Sequence, residues 1–271
     1  MRQKLPVLLL LFALALQSPA LALTSHTIEV PIIMYHKVSK DAGQLGKLVI
    51  SPEELEQDFK FIQNSDYEAV TMADLIAFVH GNGELPPKPI VLSFDDGFFG
   101  DYHYVFPLAK RYNIRVVLSI IGRCTDEYSE ENRKDIIYPH LTWPQIKEMS
   151  ESGLIEVQNH SYDLHHNRRG CHGAKKRKNE SDADYESRLD EDLNHLQSRV
   201  TEETGKTPTT FTYPFGAKSP SSDEVLKRLG FSASLSVEGK RNVVIRKEAD
   251  CLFSMGRIIR PHGRSLEQIL A

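Results

Sequence analysis

Short apolar runs alternate along this chain with longer segments in which apolar side chains return every three or four positions. Val30 to Tyr35, Pro89 to Leu92, Val116 to Ile121, Leu154 to Gln158 and Thr210 to Tyr213 read as buried strands, with a shorter one at Tyr67 to Val70. Between them the helical period takes over. Ser51 stands three residues before Glu54, the capping-box spacing, and Leu55, Phe59, Phe61 and Ile62 supply an apolar face. A short helix from Met72 to His80 breaks at Gly81-Asn82-Gly83, and another spans Tyr102 to Tyr112. Thr142-Trp143-Pro144 opens a helix that Gly153 ends. Tyr185 to Glu203 carries Leu189, Leu193, Leu196 and Val200 along one side, and Gly205 stops it. A helix at Ser222 to Leu229 and strands near Phe231 to Leu235 and Met255 to Ile259 finish the pattern. Strands alternating with helices predict an α/β domain with a mainly parallel sheet, and periodicity alone leaves a barrel and an open sheet equally allowed.

The first residues read as an address. Arg2 and Lys4 precede an apolar run from Leu5 to Leu16, and Ser18-Pro19-Ala20-Leu21-Ala22 offers a small-residue cleavage site. This predicts a secretory signal peptide over residues 1–22 and a periplasmic or secreted protein. No Cys follows the run, which argues against a lipid anchor, and no other segment approaches membrane-spanning length. Losing Arg2 and Lys4 moves the formal charge from −4 to −6, which gives no reason to expect nucleic acid as a partner. The remainder, residues 23–271, fits one large α/β domain. Cys124, Cys171 and Cys251 are widely spaced and form no zinc cage; in an oxidising compartment one pair can be bridged. Residues 166–184 hold Arg168-Arg169 and Lys175-Lys176-Arg177-Lys178 with few apolar residues, which predicts a long mobile loop. It reads either as a solvated insert or as a basic rim that grips an extended polymer.

Ser93-Phe94-Asp95-Asp96-Gly97 ends one buried strand, and His160-Ser161-Tyr162-Asp163-Leu164-His165 follows another. One Asp and two His make a three-ligand set with an open position, suited to a catalytic divalent metal. The other Asp is then free to act as a base on water. Zinc suits two imidazoles and a carboxylate, and nickel, cobalt or iron also fit.

These two motifs, followed by Thr212-Tyr213-Pro214-Phe215-Gly216, resemble the three signature motifs of the NodB-type polysaccharide deacetylases, carbohydrate esterase family 4, over roughly Glu29 to Ile259. The resemblance implies a distorted (β/α) barrel of seven or eight strands, with working residues at the C-terminal strand ends. It also implies that Asp95 is the base, that Asp96, His160 and His165 hold the metal, and that the Phe215 N–H after Pro214 meets the oxyanion. Tyr213 and Phe215 are candidates for the sugar groove, with a core position for Tyr213 the competing reading. Thr212 stands where the family places an Arg against the base, so the tuning of Asp95 must come from elsewhere or be weaker. For the proton donor to the leaving amine His36 and His262 compete, with His36 favoured because the Tyr35-His36 ending resembles the poly-β-1,6-N-acetylglucosamine deacetylase branch. The expected activity is metal-dependent N-deacetylation of an extracellular polysaccharide. An O-acetyl esterase and a non-catalytic glycan-binding module are the rival readings.

Overall fold

The computed structural model describes residues 26–131, 139–168 and 170–271; the expected leader, residues 1–22, lies outside them. The chain opens with β1 (Thr27–Val30) and β2 (Ile32–Tyr35), followed by the short pair β3 (Lys37–Val38) and β4 (Val49–Ile50). At α1 (Pro52–Asn64) the Ser51 hydroxyl accepts the Glu54 N–H and the Glu54 carboxylate accepts the Ser51 N–H. That closes two donors a helix start otherwise leaves open. β5 (Glu68–Ala69) precedes α2 (Met72–Val79), which begins with a second capping box, Thr71 with Asp74. Next come β6 (Pro89–Asp96), one π turn at Asp101–Val105, α3 (Phe106–Tyr112), β7 (Val116–Ile120) and α4 (Gly122–Glu131). α5 (Trp143–Glu151) and β8 (Ile155–Asn159) lead to a hairpin of β9 (Asn167–Arg168) and β10 (Cys171–His172). α6 (Asp182–Thr204) stops at Gly205, whose φ of 70° is open to glycine without strain. β11 (Thr210–Thr212), α7 (Ser222–Arg228), β12 (Ala233–Leu235), β13 (Asn242–Ile245), β14 (Ile258–Ile259) and α8 (Leu266–Leu270) complete the order.

Eight strands form one sheet in the order β12-β11-β8-β7-β6-β2-β14, with β5 also on β6, and every pairing in it is parallel. A parallel bridge between Leu235 and Met255 ties β12 to the segment that runs into β14. The two edges of the curled sheet therefore meet through one short stretch, residues 255–259. This is the barrel-like fold expected, ringed by helices. Alternate residues of one strand feed different layers, as a two-sided buried strand requires. Ile32 and Val91 join a cluster with Met72, Leu75 and Phe78 of α2, whereas Ile33 and Leu92 pack with Leu55 and Phe59 of α1.

Three features depart from expectation. Residues 166–184 are not one long loop: they hold the β9–β10 hairpin and the start of α6, and Cys171 and Ala174 are buried in that stretch. Helix α4 and strand β13, which pairs antiparallel with β1, were not marked by a clear apolar period. All three cysteines are unbridged, and Cys171 is a buried thiol whose sulfur accepts from Arg177 Nε. Among the described residues no helix is long and apolar enough to cross a membrane.

Candidate active site

β6, β8 and β11 run parallel, so their C-terminal ends meet on one side of the sheet. There the end of β6 and the segment after β8 bring Asp96, His160 and His165 together, with one donor atom of each within 4.8 Å of the others. Both imidazole Nε2 atoms stand 3.4 Å from Asp96 Oδ1. That oxygen is buried and makes no hydrogen bond. His160 donates its Nδ1 proton to the Thr212 carbonyl at 2.7 Å, which turns the lone pair of Nε2 toward Asp96. An orphaned carboxylate oxygen facing two imidazole Nε2 atoms is a donor set that fits a divalent transition metal.

The electrostatics agree. Burial pushes the Asp96 carboxyl up, but His160, His165 and His36 together hold it well below the ordinary carboxylate range. Burial, then the neighbouring His160, lowers His165 to about 4, leaving a neutral imidazole at pH 7. For His160 burial works downward, and the Asp96 and Asp95 carboxylates outweigh it.

Asp95 lies beside this set and is 2% exposed. Arg257, fully buried, supplies the cation that Thr212 does not. Its Nη1 donates to Asp95 Oδ1 at 2.6 Å and to Ser93 Oγ at 3.0 Å, and its Nε donates to the Ser236 carbonyl at 2.8 Å. Burial raises the Asp95 carboxyl, but Arg257 first, then His160 and His36, bring it below its usual value. Thr212 serves otherwise: its hydroxyl bonds Ser119 Oγ at 2.7 Å while its carbonyl takes the His160 proton. Sequence reading missed Arg257. The available signal was a single cation inside the apolar run Met255 to Ile259.

His36 also joins the group, its Nε2 3.8 Å from Asp95 Oδ2 and its Nδ1 buried without a hydrogen-bond partner. The rival His262 does not, since its Nδ1 sits 2.7 Å from Glu54 Oε2 at the start of α1. The third motif splits. Tyr213 is fully buried and its hydroxyl donates to Asp223, so its side chain belongs to the core and not to a groove. Pro214 is also buried, and it starts a tight turn in which Phe215 adopts φ 58°. That left-handed backbone swings the Phe215 ring outward, 45% exposed, between His165 (4.3 Å) and a parallel His172 (5.3 Å). An opening of about 300 Å³ adjoins the centre, lined by Asp96, Phe98, His140, His165, Arg123 and Arg168. The hairpin thus forms one wall of the cleft.

A buried carboxylate held by an arginine, beside a three-donor set at the C-terminal ends of parallel strands, is an arrangement suited to metal-assisted hydrolysis. A family model described as polysaccharide deacetylase matches residues 82–234, and the chain belongs to that family. The poly-β-1,6-N-acetyl-D-glucosamine N-deacetylase of Escherichia coli (strain K12) is 25% identical over 256 residues, covering 87% of this chain but 37% of its own length. The Staphylococcus aureus (strain MSSA476) protein of the same name is 25% identical over 218 residues, 76% of this chain and 71% of its own. A solved de-N-acetylase from Aggregatibacter actinomycetemcomitans superposes with a TM-score of 0.75 at 25% identity, over 89% of this chain and 98% of that one.

Proposed function

We propose that this chain is a divalent-metal-dependent N-deacetylase acting on N-acetylglucosamine units of an extracellular polysaccharide. Poly-β-1,6-N-acetylglucosamine is the first candidate, as the names of its relatives support, with peptidoglycan and chitin-type oligomers next. The observation that carries the reading is Asp95, ionised by Arg257 and set beside the convergent donors of Asp96, His160 and His165. Those three side chains would hold the ion, zinc first among several that suit the set. When bound, such an ion supplies Lewis acidity toward an acetyl carbonyl and toward water.

The remaining work falls to the chain. Asp95 accepts the proton of the attacking water, its second oxygen kept as acceptor because Arg257 occupies the first. His36, across the carboxylate, delivers a proton to the leaving amine. The Phe215 N–H, after Pro214, donates to the oxyanion. The exposed ring of Phe215, backed by His172, gives a flat apolar face against which a sugar ring can lie. A periplasmic or secreted location rests on the leader reading of residues 1–22. The cation absent at Thr212 comes from Arg257, which meets Asp95 and speaks against the non-catalytic module.

The test is acetate release from poly-β-1,6-N-acetylglucosamine by the purified protein, with chelator and with Asp95→Asn as controls. Release that both controls abolish is the expected result. Release from O-acetylated polymer alone would support the esterase reading, and glycan binding with no acetate the binding module.

A further inference from the structure

The two imidazoles lie five positions apart on a loop outside any helix or strand, so contacts from elsewhere must fix their aim. Every backbone N–H from His160 to Leu164 is hydrogen-bonded. His160 N donates to Ile120 O at 3.0 Å, Ser161 N to Asn159 Oδ1 at 2.8 Å and Leu164 N to Ser161 Oγ at 3.1 Å. The two between them reach a distant side chain: Tyr162 N and Asp163 N donate to Asp192 Oδ1 and Oδ2, each at 2.8 Å. On the other edge, Gly122 N and Arg123 N at the start of α4 donate to the Ser161 and Tyr162 carbonyls at 3.1 and 3.0 Å. A Cβ on Gly122 would lie 2.6 Å from Tyr162 Cδ2, so the loop is pressed against α4. Ser161 sits at φ 77°, which a serine holds only when its surroundings demand it. Asp192 itself cannot drift, because Leu189, Leu193 and Leu196 of α6 are buried around it.

We propose that Asp192 is a positioning residue for the metal centre: its carboxylate, gripping the Tyr162 and Asp163 N–H groups, sets the spacing of His160 and His165 and with it the affinity for a divalent ion. The proposal rests on reading Asp96, His160 and His165 as the ligands. N–H bonds to an ionised carboxylate are roughly twice as strong as neutral ones. Without them Ser161 can leave its left-handed backbone, and the two rings then move independently. Groups that orient metal ligands typically change affinity by about 10–100-fold when altered.

The test titrates Co²⁺ into metal-stripped full-length protein at pH 7.5, above the value of about 6 to which burial raises the Asp192 carboxyl. Affinity and the visible spectrum of the bound ion are recorded for wild type, Asp192→Asn, Asp192→Glu and Glu156→Gln, with circular dichroism of each stripped protein. Glu156 is the control, since its carboxylate likewise accepts two backbone N–H groups, Met72 at 2.9 Å and Ala73 at 2.8 Å, but at the start of α2. Asp192→Asn is expected to raise the Co²⁺ Kd about 10–100-fold and change the spectrum. Asp192→Glu, keeping the charge on a longer arm, falls between. Glu156→Gln is expected to lose thermal stability yet bind Co²⁺ as wild type does. Wild-type affinity and spectrum in folded Asp192→Asn, or equal weakening in Glu156→Gln, would make Asp192 merely structural and overturn the proposal. No Co²⁺ uptake by wild type would overturn the ligand reading along with it.

Discussion

Replacing Arg257 by Met keeps much of the side-chain volume but leaves Asp95, 2% exposed, without its cation. Two unit charges about 4 Å apart at an effective dielectric of 20 interact by about 4 kcal/mol, equivalent to roughly 3 pKa units. Removing one member of a buried pair typically costs about 3–5 kcal/mol, so Arg257→Met is expected to lose that much stability at pH 7. The sign with pH follows from Asp95. In wild type its carboxyl lies below the ordinary value, so the pair stabilises above pH ~4 and fades as pH falls through the folded value. In Arg257→Met the burial that raises the Asp95 carboxyl loses its largest counterweight, so that carboxyl takes up a proton as pH falls and the variant's deficit should shrink between pH 7 and pH 4. The assay is urea unfolding of metal-stripped protein at both pH values, for Arg257→Met, Asp95→Asn and the double variant. Removing both charges should leave a protein more stable than either single variant, while activity stays absent. Losses that simply add, or a deficit unchanged at pH 4, would refute the account of Arg257 as the partner that makes a buried Asp95 tolerable.

Other consequences are separable from that one. His36→Gln should lower kcat by about 10²–10⁴ with little effect on KM, measured by acetate release, if His36 is the proton donor. Phe215→Ala removes an exposed ring that packs on His165 and His172, so polymer KM should rise while thermal stability changes by less than about 1 kcal/mol. Asp101 is buried with both carboxylate oxygens unpartnered, and burial, then the Asp96 charge, raises its carboxyl well above the usual value. The folded state thus keeps a proton that the unfolded chain releases above pH ~4, and stability is lost as pH rises. Asp101→Asn should be more stable than wild type at pH 7, with the gain vanishing toward pH 4; a gain independent of pH would count against this. Gly122→Ala drives a methyl to 2.6 Å from Tyr162 Cδ2 and 2.8 Å from Leu196 Cδ1, and is expected to cost about 1–3 kcal/mol by chemical denaturation.

Much of this is legible in the sequence. The parallel strands announce themselves as apolar runs, because both faces of each are buried, and Ser51 with Glu54 fixes the start of α1 to the residue. Asp95, Asp96 and His160 were legible because they stand at or just past the end of such a run, where strand ends deliver side chains to one place, and His165 because it follows His160 in the same short motif. Arg257 was not, since its partner lies 162 residues away and no local period links them. Tyr213 stands between groove and core in the sequence, because the left-handed backbone at Phe215 that separates a buried aromatic from an exposed one leaves no mark in the alternation. The β9–β10 hairpin was hidden by its own polarity: two-residue strands exert no hydrophobic period, and its buried positions, Cys171, Gly173 and Ala174, are small.

The seam at residues 255–259 has a temporal meaning. Arg257 sits on the stretch that joins the sheet's two edges, and it is made long after Asp95. Until that stretch docks, Asp95 lacks its arginine, and bringing such remote positions together is among the slower events available to a chain. Hydrolytic competence would then arrive last during biogenesis, and any partial melting that began at this join would switch the catalyst off before the rest of the barrel came apart.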